Sequence, residues 1–319
     1  MVLMAVDFRE AALPTAELGL PRAEDDAGSP VRQASLLRDA VYRFTRNRAA
    51  VVALVVFAAI TLYCLLQPIF SPYDPNKVDF AQSYLSPSLH HPFGTDKFGR
   101  DLFTRVAIGG RISIGIGFAG TFAILVIGLV YGSLAGFVGG IVDDVLMRIL
   151  DALYGLPYLP FAIITTQILS PNGTATFWTM VAALTVASWL TTARLVRGQI
   201  VTLKQNDYVV AARAVGARWH RILVRHLLPN TFGLLVIAVF LDLPAVVLGE
   251  AFLSFIGLGI NPPTASWGSI AQDGRAAYVL HPQVIMVPSL AIAMLVLCAN
   301  YIADGLRDGL DPRTRVQRV

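Results

Sequence analysis

Two acids stand where acids are expensive. Asp242 and Glu250 fall inside an apolar run at 232–256, and Ser254 lies one helical turn beyond Glu250. An ionisable side chain in such a run costs about 3 kcal/mol on insertion scales, so it should face protein or a water-filled path. Two roles stay open for this trio. The residues could line a path for a peptide or a cation, or they could make a satisfied packing contact near the end of the run. Pro244 lies between the acids and weakens the helix there, leaving backbone groups that another helix or water must satisfy.

A second charged set is Asp96, Arg100 and Asp101 around Gly99, within HPFGTDKFGRDLFTR. The reading preferred here is a structural charge cluster at a helix start, over direct contact with a substrate. A third set is the stretch 206–230, NDYVVAARAVGARWHRILVRHLLPN, with Arg213, Arg218, Arg221 and Arg225 against the acid Asp207. Asp207 suits an N-cap of a short helix beginning at Tyr208. Ala211, Ala212 and Ala214 suit its body, and Gly216 can end or bend it before Ala217. A second helix carries Trp219, Ile222 and Leu223 on one side and arginines on another. Pro229 marks entry to the next apolar run. The first helix is thin on one side and can sit deep in a partner's groove. A basic amphipathic helix resting on anionic lipid is the alternative.

Catalytic sets are missing from the sequence. No nucleophile, base and orienter fall together. Cys64 and Cys298 lie in apolar runs and, like the scattered histidines, offer no metal or disulfide framework. There is no GxxxxGK[ST], and none of the three lysines follows a glycine. The chemistry on offer is moving a solute or passing on a force.

The elements that position these groups are apolar helices. Of 319 residues 55% are hydrophobic and 14% charged, against about 25% charged in a soluble domain. The net charge is +4, but the arginines gather at the ends of apolar runs, which points to membrane and not to nucleic acid. The expected fold is all-α and polytopic, with six spans near 49–70, 112–138, 145–169, 177–196, 232–256 and 284–303. Pro157 and Pro160 should distort the third. Regularly placed glycines in the second should let helices approach closely. Arg148 should pair with Asp144 and Asp151 one turn away on either side. Arginines before the first span place the N-terminus in the cytoplasm, and six spans bring the C-terminus there too. Residues 1–48 read as a leader with an interfacial helix through Leu36, Leu37, Ala40, Val41 and Phe44. Residues 71–111 and 257–283 read as extracytoplasmic, 197–230 as a cytoplasmic loop and 305–319 as a cytoplasmic tail. The five-helix core is 112–304. Trp267, among turn residues, suits a re-entrant or interfacial element.

Three stretches also resemble one family. The first is similar to the EAA loop of bacterial ABC transporter permeases, through Ala211, Ala212, Gly216, Leu228 and Pro229. Val210 stands where that pattern has Glu, and His226 where it has Ile. HPFGTDKFGRDLFTRVAIGGRIS, from His91, resembles the second permease of dipeptide, oligopeptide and nickel importers. GEAFLSFIGLGINPPTASWGSI, from Gly249, resembles the same group. The resemblance implies a type I importer permease that moves di- or oligopeptides across the cell membrane. The loop at 207–230 would be its coupling helix. The implied partners are a second permease, two ATP-binding subunits or one fused ATPase, an extracytoplasmic peptide-binding protein, and lipid. ATP and Mg would sit on those subunits, with no cofactor or metal on this chain. A nickel importer and an ion-gradient carrier using Asp242 and Glu250 are the alternatives, besides a membrane scaffold without transport.

Overall fold

A computed structural model describes residues 41–171 and 173–310. The leader, Leu36, Leu37 and Ala40 of the expected interfacial helix, and residues 311–319 lie outside the described residues. Residues 41–46 are helical. The described chain contains no β-strand beyond two isolated bridges. Its long helices are α1 (Arg48–Phe70), α2 (Leu102–Val138), α5 (Phe177–Leu203), α8 (Leu228–Phe255) and α10 (Gln283–Leu310). Between them lie α3 (Gly140–Tyr154), α4 (Tyr158–Leu169), α6 (Asp207–Ala214), α7 (Trp219–Ile222) and α9 (Trp267–Gly274).

Among the described residues five helices are long and apolar enough to cross a membrane, and the count reaches six if the bent pair α3 and α4 forms one span. That pair corrects the expectation of one distorted helix over 145–169. The two arms meet at 90°. Tyr154 ends the first, Gly155 and Leu156 form the corner, and Pro157 opens the second in extended conformation. Proline disfavours helical geometry in the residue before it, so the break falls at Leu156. The 12 residues of α4 rise about 18 Å, well short of the roughly 30 Å of a bilayer core.

α2 begins ten residues ahead of the expected span. Asp101 is its N-cap, accepting from the backbone N–H of Thr104 at 2.8 Å. Its 37 residues make it about 55 Å long, so it runs from one end of the bundle to the other. α5 lies along it over a glycine seam. A Cβ at Gly128 would come within 2.9 Å of Thr192, one at Gly136 within 2.8 Å of the Arg197 carbonyl, and one at Gly132 would press into the Ala193 carbonyl. At the end of the seam the Lys204 ammonium donates to the Phe137 carbonyl at 2.7 Å, closing the C-terminal turn of α2.

A second contact joins α1 to α2. Pro68 lies inside α1 and has no N–H for the carbonyl four residues back, that of Cys64. Arg111 of α2 takes up that carbonyl, donating from Nε to Cys64 O at 2.8 Å and from its terminal nitrogen to Leu65 O. The expected pairing of Arg148 is not found. Asp151 instead meets Arg194 at 2.6 Å, and Asp143 takes both nitrogens of Arg197, at 2.6 and 2.5 Å. The arginines of α5 win because α3, turning off α2 at Gly139 and Gly140, lies beside them.

The seam is testable with two alanines. Gly132→Ala overpacks a backbone contact and should cost about 1–3 kcal/mol, seen as a lower melting temperature of the detergent-solubilised protein. Gly198 has nothing within 4 Å of where a Cβ would stand, so Gly198→Ala should be neutral or stabilise by roughly 0.5–1 kcal/mol. Equal melting temperatures for the two variants would contradict this packing.

Candidate functional site

Two places gather the residues singled out above, one at each end of α2. The first is the short helix α6 together with α7. Asn206 occupies the N-cap position and makes no side-chain cap, while Asp207 is the first helical residue. This corrects the expectation that Asp207 caps a helix starting at Tyr208. Its carboxylate still lies at the positive end of the helix dipole, worth about 0.3–1 kcal/mol. The other end closes as a Schellman turn. Ala217 N–H donates to Ala212 O at 3.0 Å, and Gly216 N–H to Arg213 O at 2.9 Å. Gly216 has φ +77° and open space where a Cβ would go. The position therefore demands glycine for its backbone angle and not for room.

Past the turn, α7 continues through a π-helical segment, Leu223–Leu227, straight into α8. Pro229 sits in the first turn of α8 and is not the start of the span, because one helical unit runs from Trp219 to Phe255. Leu228 N–H reaches back five residues to Leu223 O. The wider turn just before the proline makes room where a regular turn would crowd its ring. Asn230 ties the two helices together, donating from Nδ2 to His226 O at 2.6 Å and to the Tyr208 hydroxyl at 3.4 Å.

These elements enclose a cavity of about 860 Å³. Ala211, Ala212, Gly216 and Ala217 are among its lining, with Arg218 and Arg221 also on its wall. Beside it Val210 is 55% and Val215 84% exposed. The result is a projecting knuckle with small residues, bare valines and unneutralised arginines. Val209 and Ile222 anchor it, packing with Val196, Ile200 and Leu227 under the seam helix α5.

The second place is the carboxylate of Glu250, with 0% exposure. Ser113 Oγ of α2 donates to Oε2 at 2.7 Å, and Ser254 Oγ to Oε1 at 2.7 Å. Each serine also accepts a backbone N–H: Ser113 from Trp267 at 3.1 Å, Ser254 from Ile260 at 3.2 Å. A hydroxyl that accepts from an N–H keeps its own hydrogen, which each serine donates to one carboxyl oxygen of Glu250. Trp267, with no exposed surface, donates from Nε1 to Val106 O at 2.8 Å. α9 is thus hung from α2 and α8 by one continuous chain of hydrogen bonds. Gly259 and Gly268 are needed there, since a Cβ on either would strike Ser254 or the Ala251 backbone. Asp242 lies apart from Glu250 and accepts from Thr192 Oγ1 at 2.8 Å.

Near α9 the charged set at 96–105 comes together. Asp96 accepts from Arg100 Nε at 2.7 Å and lies 3.5 Å from Arg105. Asp101 accepts from Thr104 and pairs with His91 at 2.9 Å. Gly99 has φ +72° and packs directly on the Asp79 carbonyl. Sequence reasoning missed Asp273 of α9, which meets Lys97 at 2.9 Å, Arg100 at 3.1 Å and Arg105 at 3.8 Å. Its signal was the one acid between residues 257 and 283, opposite a surplus of cations over residues 71–111. The geometry is that of a structural cluster binding the loop before α2 to α9.

Removing the buried acid separates hydrogen bonding from charge. Glu250→Ala leaves two buried serine hydroxyls without an acceptor and should cost about 2–4 kcal/mol. Glu250→Gln keeps one acceptor and the shape, and should cost about 1 kcal/mol. Thermal unfolding of the solubilised protein reads both, and equal losses would show that charge and not bond count governs the site.

Comparison with known proteins agrees with this geometry. Residues 128–316 match the model of the binding-protein-dependent transport system inner membrane component. Residues 35–87 match the N-terminal transmembrane domain of oligopeptide transport permease C. The chain is 40% identical over 281 residues to the oligopeptide transport system permease protein OppC of Bacillus subtilis (strain 168), covering 88% of this chain and 91% of that one. It is 38% identical over 282 residues to the dipeptide transport system permease protein DppC of the same organism, covering 88% and 87%. Among solved structures, the inward-facing MetNI methionine ABC transporter superposes with a TM-score of 0.53 at 21% identity, over 64% of this chain and 96% of that one. That likeness concerns the fold. The family match runs through the knuckle, the buried acid and the apolar helices that carry them, and the chain belongs to the binding-protein-dependent transport permeases.

Proposed function

We propose that this chain is the membrane-spanning permease subunit of an ATP-driven importer of di- or oligopeptides in the cytoplasmic membrane. The observation that carries the reading is the projecting knuckle: a Schellman-closed helix of eight residues beside the exposed Val210 and Val215, anchored through Val209 on Val196 and Ile200 of α5 and on Ile222 and Leu227. The peptide cargo is supported by the names of relatives about two-fifths identical along most of the chain. The subunit itself is non-catalytic. ATP and Mg belong to two ATP-binding subunits, or one fused ATPase, that grip α6. A second permease completes the path, and an extracytoplasmic binding protein delivers peptide. Both termini and the knuckle face the cytoplasm, and α9 faces the other side.

The mechanism is mechanical. Closure of the ATPase pair displaces α6. Lys204 and the paired Arg194 and Arg197 hold α5 to α2 and α3, so displacement at α6 is delivered to the bundle as helix movement and not as loop slack. At the far end the Glu250 network ties α9 to the same two long helices, so that movement of α2 against α8 moves α9 with them. A carrier driven by an ion gradient is less well supported, because both oxygens of Glu250 already accept from serines in a site with no exposed surface.

Gly216→Val tests the reading. A β-branched residue at a left-handed φ costs about 1–2 kcal/mol, and a change of that size shifts a conformational equilibrium roughly five- to thirtyfold. The variant should enter the membrane and associate with the second permease, while peptide-stimulated ATP hydrolysis in proteoliposomes falls by that factor. Normal coupled peptide uptake by the variant would refute the assignment.

A further inference from the structure

The knuckle departs from the related pattern in a way that has chemical content. Where that pattern carries Glu, this chain has the exposed apolar Val210. The acid of that pattern is therefore missing here. In its place the walls of the adjoining cavity carry Arg218, His220, Arg221 and His226. Neither Arg218 nor Arg221 makes an ion pair among the described residues, although seven lysine or arginine contacts with acids form elsewhere among them. Both side chains are exposed. The lone acid of the stretch, Asp207, lies at the opposite end of α6 from the Schellman turn that leads to these arginines.

Two further features favour a protein over a lipid surface. The cavity is concave and about 860 Å³, a shape that takes a projecting side-chain group and that a flat headgroup layer does not fill. Tyr208 and His226, both on its lining, bring their ring centroids within 6.4 Å, and Asn230 donates to the Tyr208 hydroxyl at 3.4 Å. Guanidinium groups match carboxylates in a fixed fork geometry, which gives register as well as attraction.

We propose that this cavity receives a carboxylate-bearing projection of the ATPase subunit. The polar anchor of the joint then runs from arginine on the permease to acid on the ATPase, the reverse of an anchor built on a permease glutamate. The inference rests on the ATPase-docking reading and specifies its chemistry. It also sets partner choice: an ATPase with a cationic groove rim meets like charge here and is rejected.

The test uses the complete transporter purified through a tag on this chain, with the ATPase subunit that co-purifies with the wild type as the probe. Wild-type retention of ATPase should fall from low to high salt, because rim pairs are screened. Arg218→Glu with Arg221→Glu should lower retention at low salt about tenfold, the size expected for reversing charges at an interface rim. The paired glutamine variant should fall between, and guards against misfolding of the charge reversal. Arg225→Glu changes a neighbouring charge outside the cavity lining and should retain the ATPase. Lysine substitution of the facing ATPase carboxylates should restore binding to the double glutamate variant.

Salt-independent retention, or full retention by the double glutamate variant, would overturn the inference and leave ATPase docking intact. Equal loss with Arg225→Glu, or loss seen only in nanodiscs of anionic and not neutral lipid, would overturn it in favour of a lipid contact. Absence of any ATPase from the wild-type complex would remove the underlying functional reading itself.

Discussion

Inside an apolar slab there is no water to complete a broken hydrogen bond, so every polar group there must find its partner in the protein. Much of this structure follows from that constraint. Pro68 releases the Cys64 carbonyl, and Arg111 reaches across from α2 to take it. The acid at Glu250 is held by Ser113 and Ser254, which are themselves held by the backbone at Trp267 and Ile260. Asp242 takes Thr192. Apart from the Ser254 bond to Glu250, which stays within α8, these bonds join different parts of the chain, so satisfying the polar groups also fixes how the helices stand against one another. The glycine seam of α2 adds close backbone approach, which matters more in lipid than in water because burial of apolar surface no longer drives association.

At the ends of the helices water returns, and ion pairs take over the same task. Asp273 gathers Lys97, Arg100 and Arg105 at one end. At the other, Arg197 grips Asp143 with two nitrogens and Arg194 meets Asp151. These pairs add to the apolar packing: they fasten the loop before α2 to α9, whose Trp267 and Ile270 already sit in the core, and the bent arm α3 to α5. The knuckle differs from both clusters. Its arginines are left without acids among the described residues, so its electrostatics remain uncompensated until something else supplies the negative charge.

Much of the architecture was legible in the chain. Long apolar runs with arginines at their ends announce spanning helices because charge and apolar length are properties of local sequence. Gly216 was readable as a helix terminator for the same reason, since a left-handed turn is a local demand. The charge cluster at 96–101 was readable as a helix start, as Asp101 capping α2 illustrates. Boundaries were less legible. α2 starts ten residues early because Asp101 caps it just before Leu102 and ion pairs across the fold hold Arg105 in its first turn, and Pro229 does not begin a span because a π turn absorbs it.

Residue types and spacing alone settled that this is a helical membrane chain with a basic, glycine-closed loop between two apolar runs, since those features depend only on neighbours within a turn or two. Only the tertiary structure decided that Glu250 accepts from Ser113 of α2 as well as from Ser254 of its own helix, that Asp151 meets Arg194 and not Arg148, that α3 and α4 part at a right angle, and that Asp273 completes the far cluster. Those outcomes depend on groups far apart in the chain arriving at one point. Distance between side chains, unlike their order, is not written in any single segment.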